Sequence, residues 1–415
     1  MSVRPARLRG GERGSSRVGL ALAGGGPLGG IYQIGALLAL NDALEGVDFN
    51  DLFVYVGVSS GSLVASCLAN GISPAELYRL YIESGSGEQS LAPAVFQRPA
   101  VGEYLQRAAA VPDLLITALW RYAQDPLERG LWGSLQALGR AVPTGIFDGA
   151  PIARGLARLF EASGGTNDFR RLKHRLYVVA TDLDTGESVK FGARGYDSVP
   201  IATAVRASSS LPGLYPPTQI DGRYFVDGAL KKTLHASVAL KEGAQLLFCV
   251  NPLVPFDASL VRRDPARNGR RLVDGGLPVV LSQTFRALIH SRMQVGMEKY
   301  GELFKDSDVV LFEPSPDDAE MFFANVFSHA NRRRVCDHAY RHTVRELARR
   351  EAELRPVWAR HGITPRREVL DSDRHVGASP SLRRISGRGL SDRLQQGLDL
   401  LEGWLQGRGQ TSRAR

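Results

Sequence analysis

The chain has 415 residues, 43% hydrophobic and 23% charged, the make-up of a globular protein with one large domain or two smaller ones and a core that needs no staples. Its three scattered cysteines, Cys67, Cys249 and Cys336, form no CxxC, which argues against a disulfide scaffold or a zinc ribbon. The net charge of +9 raises nucleic acid as a partner, yet residues 1–20 and 376–415 carry +4 each and the body is nearly neutral.

In chain order, residues 1–17 are rich in Arg, Gly and Ser and read as a disordered basic tail. Val18–Ala23 (VGLALA) is a buried strand. The run Gly24-Gly25-Gly26-Pro27-Leu28-Gly29-Gly30 breaks it, and Ile31–Ala43 follows as a helix. A second strand, Phe53–Val58, runs into Ser59-Ser60-Gly61 and a small-residue helix over Ser62–Ala69 that Gly71 stops. Residues 97–142, with Trp120 and Trp132, read as inserted helices. Leu176–Thr181 and Ser188–Phe191 are strands joined by the turn Asp184-Thr185-Gly186-Glu187. A hairpin over Ile220–Val226 and a strand at Gln245–Val250 follow. Residues 256–375 read as a mostly helical extension, including Asp337–Arg360. The last segment, 376–415, is a second basic tail in which Leu390, Leu394, Leu398, Leu401 and Leu405 share one face of a helix.

Strands alternating with helices predict an α/β fold with a largely parallel sheet. No apolar run reaches the roughly 18 residues of a spanning helix. No apolar stretch with a small-residue cleavage site follows the N-terminal arginines, so a secretion signal is not expected. A cytoplasmic protein is expected, with peripheral attachment to a membrane left open. Basic tails are commonly solvating or surface-attracted segments. With no zinc-finger spacing, RNA-binding aromatic signature or basic-leucine heptad beside them, nucleic acid is not an expected partner.

Three motifs carry chemistry. Gly24–Gly29 fits G-x-G-x-x-G, but a dinucleotide site also needs an acid at the end of the second strand, and that strand ends in Gly57-Val58-Ser59-Ser60-Gly61 instead. The glycine loop keeps a different use, since its bare N–H groups at a helix N-terminus can face a developing anion. Gly57-Val58-Ser59-Ser60-Gly61 is a G-x-S-x-G elbow between a strand and a helix, the context in which the central serine is a nucleophile. Asp227-Gly228-Ala229 supplies a carboxylate, but Asp-Gly is ordinary turn chemistry, and the chain holds a second copy, Asp148-Gly149-Ala150. A serine needs a base. His290, His329, His338, His342, His361 and His375 all follow Asp227 but fall in helical or tail patterns, where surface or core histidine is the plainer reading.

At this point the sequence resembles the patatin-like phospholipase family. The resemblance runs over residues 18–255 in five ordered blocks: LALAGGGPLGGIYQIGALLAL, GVSSGSLVASCLANGISPAEL, GIFDGAPIARGL, YVVATDLDTGE and AVRASSSLPGLYPPTQIDGRYFVDGAL. It implies a three-layer α/β/α sandwich, a Ser–Asp dyad of Ser59 and Asp227, and no catalytic histidine. It also implies an oxyanion hole from the Gly24, Gly25 and Gly26 N–H groups, to which Ser60 N–H adds. Gly29, Gly57, Gly61, Gly228 and Ala229 are then motif residues, and Asp148 is structural. One position departs from the family pattern: Leu28 stands where the glycine loop usually carries Arg or Lys. Arg206 is the candidate to supply that charge from elsewhere.

The reaction so implied is serine-dependent acyl hydrolysis of a lipid or phospholipid, of phospholipase A or lysophospholipase type, with no metal and no other cofactor. An acyltransferase or thioesterase on the same fold, or a catalytically weak membrane-associated scaffold, is the alternative. The apolar residues of 97–142 are either core packing or a lid that meets a membrane surface, and the leucine face of 390–405 poses the same choice. Oligomeric state is open.

Overall fold

Each long strand alternates its side chains between two buried faces. Leu20, Leu22, Tyr55, Val178, Ala180, Leu246, Phe248 and Val250 point into one core, whereas Ala21, Ala23, Val54, Val56, Val58, Val179, Leu247 and Cys249 point into the other. Strands apolar on both faces belong in the middle of a sheet covered on both sides.

The computed structural model describes residues 16–83, 99–102, 104, 142–262, 271–324 and 329–383. Its main sheet has eight strands: β1 (Val18–Leu22), β2 (Val54–Val58), β3 (Arg175–Asp182), β4 (Ser188–Phe191), β5 (Thr218–Ile220), β6 (Arg223–Asp227), β7 (Leu246–Val250) and β8 (Asp308–Phe312). The central strands β3, β2, β1, β7 and β8 are parallel in that order. Strands β4 and β6 both run antiparallel to β3, and β5 pairs with β6 through Asp221-Gly222, whose φ angles of 48° and 78° make a two-residue hairpin turn.

Helices cover both faces. On the first lie α1 (Gly26–Ala43), α2 (Ser60–Ala69), α3 (Ala150–Ala162), α4 (Ile201–Ser208), α7 (His329–Arg349) and α8 (Glu351–His361). On the second lie α5 (Ser237–Lys241), the chain leading into it, and α6 (Gly276–Leu303). Helix α1 is buried almost all round because it is sandwiched between the sheet and α7. This is the α/β/α sandwich the sequence implied.

Several boundaries differ from the sequence reading. Helix α1 starts at Gly26, not Ile31, because Pro27 suits the first turn, where its missing N–H costs nothing. The stretch expected to be mostly helical contains β8, which extends the main sheet. Asp337–Arg360 is not one helix: α7 and α8 meet at Arg350, whose backbone (φ −93°, ψ 13°) is off the helical range. Residues assigned to the tails are also engaged. The Arg17 carbonyl accepts from Gln245 N–H at 2.8 Å, and Ser381 donates N–H and Oγ–H to the buried Asp42 carboxylate, which Tyr340 also contacts. The leucine face of 390–405 and the leucines and tryptophans of 111–138 lie outside the described residues. The three cysteines are free and buried. Among the described residues no helix is long and apolar enough to cross a membrane.

Candidate active site

The parallel strands β1 and β2 each end in a turn that opens a helix. The glycine loop leads into α1 and the elbow into α2, so two helix N-termini, with their positive dipole ends, converge at one end of the sheet. At the elbow Ser59 has φ 52° and ψ −127°, a conformation that costs on the order of 1–3 kcal/mol for a residue with a side chain. The strain is held from both sides. Ser59 N–H donates to Ser208 Oγ at 2.8 Å, and Ser208 Oγ–H donates in turn to the Val179 carbonyl at 2.6 Å. The Ser59 carbonyl accepts from Ser62 N–H at 2.9 Å and Ser62 Oγ–H at 2.6 Å. The flanking glycines are required by contact: a Cβ on Gly57 would lie 2.5 Å from Ser62 Cα, and one on Gly61 would lie 2.4 Å from the Leu22 carbonyl oxygen.

Sheet register brings Asp227 to this serine. Val58, the last residue of β2, is opposite Val179 of β3, and Asp227, the last residue of β6, is opposite the next residue, Ala180. Strand β4 occupies the other edge of β3 over the same residues. Strands β2 and β6 therefore share one edge of β3 and run towards each other until their ends meet. Ser59 and Asp227 are both buried, at 6% and 3% exposure. Asp227 Oδ1 accepts from Ala229 N–H at 2.8 Å. Burial pushes the carboxyl up to about 6, with the Ser59 side chain and the Ala229 N–H opposing it.

The glycine loop closes over this pair. A Cβ on Gly24 would stand 3.1 Å from Ser59 Cβ and 2.9 Å from Ala229 Cβ, and one on Gly25 would run into Pro252. Among the described residues no hydrogen bond takes up the N–H groups of Gly24, Gly25 or Gly26. Ser60 opens α2, its Oγ buried beside Gly29 without a partner among the described residues. Leu28 packs against the core. Arg206 does not face the loop. It lies against Gly149, with Asp148 acting on its charge, so the side chain suggested as a substitute for the missing cation sits at the other Asp-Gly-Ala copy.

Late histidines are engaged away from this pair: His338 with Asp318, His342 with the Glu313 carbonyl, His361 with Asp308 and His375 with Asp337, while His290 Nδ1 lies 4.0 Å from the Glu313 carboxylate. Sequence reasoning missed three participants. Ser208 holds the elbow and is the first serine of the block Ser208-Ser209-Ser210. Pro252 backs the glycine loop from beyond β7. His235, which also follows Asp227 in the chain, is buried near the Gly228 backbone, and burial holds it down to about 4. No periodic pattern marks any of the three. Among the described residues no cluster of His, Cys, Asp or Glu could hold a metal.

A family model for patatin-like phospholipases matches residues 20–240, more than half of the chain. The chain belongs to the patatin-like phospholipase family. That family supports a lipid-hydrolysing esterase and a lipid substrate. Similar solved structures include VipD from Legionella pneumophila, at 15% identity and a TM-score of 0.31, covering 78% of this chain and 67% of that one. The type III effector protein ExoU gives 17% identity and a TM-score of 0.34 over 81% of this chain and 54% of that one. Full-length ExoU with SpcU, from the type III secretion system of Pseudomonas aeruginosa, gives 19% identity and a TM-score of 0.29 over 84% and 59%. This patatin-like chain thus spans little more than half of the ExoU chains.

Proposed function

We propose that the protein is a serine lipid acyl hydrolase of phospholipase A or lysophospholipase type that works through Ser59 and Asp227. The observation that carries this reading is the strained Ser59 at the strand end that meets a buried carboxylate, whose charge the Ser59 side chain favours and whose partner among the described residues is the Ala229 N–H. Among the described residues no histidine is among the groups acting on Asp227.

Ser59 Oγ attacks the ester carbonyl carbon while its proton passes to Asp227. The carbonyl π electrons move onto oxygen, and the unpaired N–H groups of Gly24, Gly25 and Gly26, with Ser60 N–H, face the charge that forms. One such donor is worth about 3–4 kcal/mol in the transition state. The tetrahedral species collapses, the C–O bond to the alcohol breaks, and Asp227 returns the proton to that oxygen. Water then attacks the acyl carbon as Asp227 takes its proton, the bond from that carbon to Ser59 Oγ breaks, Oγ recovers the proton from Asp227, and the fatty acid leaves.

A panel of phospholipids, lysophospholipids and neutral lipids, assayed beside Ser59→Ala, tests the reading. Fatty acid release that stops in the variant, together with fluorophosphonate labelling at Ser59, is expected. Undiminished release from Ser59→Ala overturns it.

A further inference from the structure

On the second face of the sheet, the chain leaving Asp227 runs through Lys231 and Lys232 to His235 and α5, and α6 crosses over it. Between them is a cavity of about 510 Å³, within the roughly 300–1,000 Å³ of small-molecule sites. Neither Ser59, Asp227 nor the glycine loop lines it.

The walls join two chemistries. Leu234, Met293, Met297, Tyr300 and Phe304 make an apolar surface, with methionines able to fit an irregular chain. Lys231, Lys232, Lys241, Arg292 and Lys299 bring five cations, and among the described residues no carboxylate lines the cavity. Lys231 donates to the Gly186 carbonyl at 2.8 Å and Arg292 to the Leu230 carbonyl at 3.1 Å. Like charges gathered without a counter-charge repel one another, so the cluster favours an anion.

His235 is an independent second observation. It lines the cavity at 5% exposure, and its Nε2 has no hydrogen-bond partner among the described residues. A buried ring nitrogen left unpaired costs free energy. A carboxyl group answers both needs: the acid passes its proton to Nε2, and the carboxylate left behind meets the cations and accepts from the new Nε2–H. An alkyl sulfate meets only the first, and inorganic phosphate leaves the apolar walls empty.

We propose that this cavity binds a long-chain fatty acid, the carboxyl group among the cations and His235 Nε2 and the chain along Met293, Met297 and Phe304. The proposal rests on the cavity and stands apart from the role of Ser59.

Titrating the full chain carrying Ser59→Ala with oleate below its micellar concentration tests it, with no turnover to confuse the signal. Saturable one-to-one binding is expected. Gly296→Phe fills the cavity from α6, where an added Cβ meets nothing closer than Tyr300 Oη at 3.7 Å, and should weaken binding about tenfold or more. The double variant Lys232→Glu/Lys299→Glu should do the same without touching the core, and keeps the question answerable if Gly296→Phe fails to fold. Oleyl alcohol and inorganic phosphate should each bind about tenfold more weakly than oleate. Absence of saturable oleate binding, unchanged binding in the variants that fold, or phosphate binding as tight as oleate overturns the proposal.

Discussion

The two Asp-Gly-Ala copies begin alike and end differently. In each, the alanine N–H donates to the aspartate Oδ1 at 2.8 Å. Asp148 opens α3, half-buried, within the field of the Arg206 guanidinium. Asp227 ends a strand, almost wholly buried, with no cation acting on it and Ser59 as its side-chain partner. Gly149 has ordinary space around its α-carbon, whereas a Cβ on Gly228 would lie 2.3 Å from the Val179 carbonyl oxygen. The same local turn serves as a helix entry in one place and aims a carboxylate at a serine in the other. The surroundings decide which.

Substitution at the aspartates should separate the copies most. Asp227→Asn should lower kcat on a fluorogenic ester about 10²–10⁴-fold, the usual worth of a positioned base, while Asp148→Asn stays within about a factor of two. Equal losses would break the comparison. The same variant should be more stable than the parent in alkali. Burial raises the Asp227 carboxyl from 3.8 to about 6, so between those values the folded chain keeps a proton that the unfolded chain has released. Stability then falls as pH rises through that window. Activity rises through the upper part of it as the base ionises. Denaturant titration at pH 8 should find Asp227→Asn more stable by about 3 kcal/mol, with the gain absent at pH 4.

The glycines give a smaller contrast. Gly228→Ala should cost about 1–3 kcal/mol, because the oxygen it meets is backbone and already accepts from Ser208. Gly149→Ala (φ −80°) should be neutral or stabilise by about 0.4–1 kcal/mol. Thermal melts of the pair read this directly. The smallest effect is expected at Arg206. Arg206→Met should leave kcat nearly unchanged and cost no more than about 1 kcal/mol. A hundredfold fall in kcat would return Arg206 to the oxyanion and blur the distinction between the copies.

The elbow and glycine loop were legible because each ties rare residues to a strand end and a helix start: Gly57, Ser59 and Gly61 admit few other structures. The choice of Asp227 over Asp148 needed the order of five blocks, since the tripeptides are identical and the difference lies in register with Ala180 of β3, which is 47 residues from Asp227 and 32 from Asp148 in number but decisive only in space. The start of α1 was hidden because Gly26, Gly29 and Gly30 are poor helix formers: Gly26 is set by its φ of 60°, and the bareness of Gly29 and Gly30 serves contact with Ser60, Pro252 and Tyr81. Strand β8 (DVVLF) carried the apolar run of a buried strand but lay in a stretch dominated by helical patterns. Ser208 and His235 were not legible, because their roles depend on contacts to the Ser59 N–H and the Gly228 backbone that only the folded sheet creates.

The meeting of β2 and β6 end to end along β3 makes the spacing of serine and carboxylate a matter of one peptide step, about 3.3 Å in a strand, between Val179 and Ala180. Neither side chain hangs on a loop that must find its place. Surface connections elsewhere can lengthen or shorten without opening the gap, while a single residue inserted at that step would pull the ends apart and turn the rest of the strand over. The seam that sets this spacing is thus a pair of apolar residues, Val179 and Ala180, that carry no reactive group of their own.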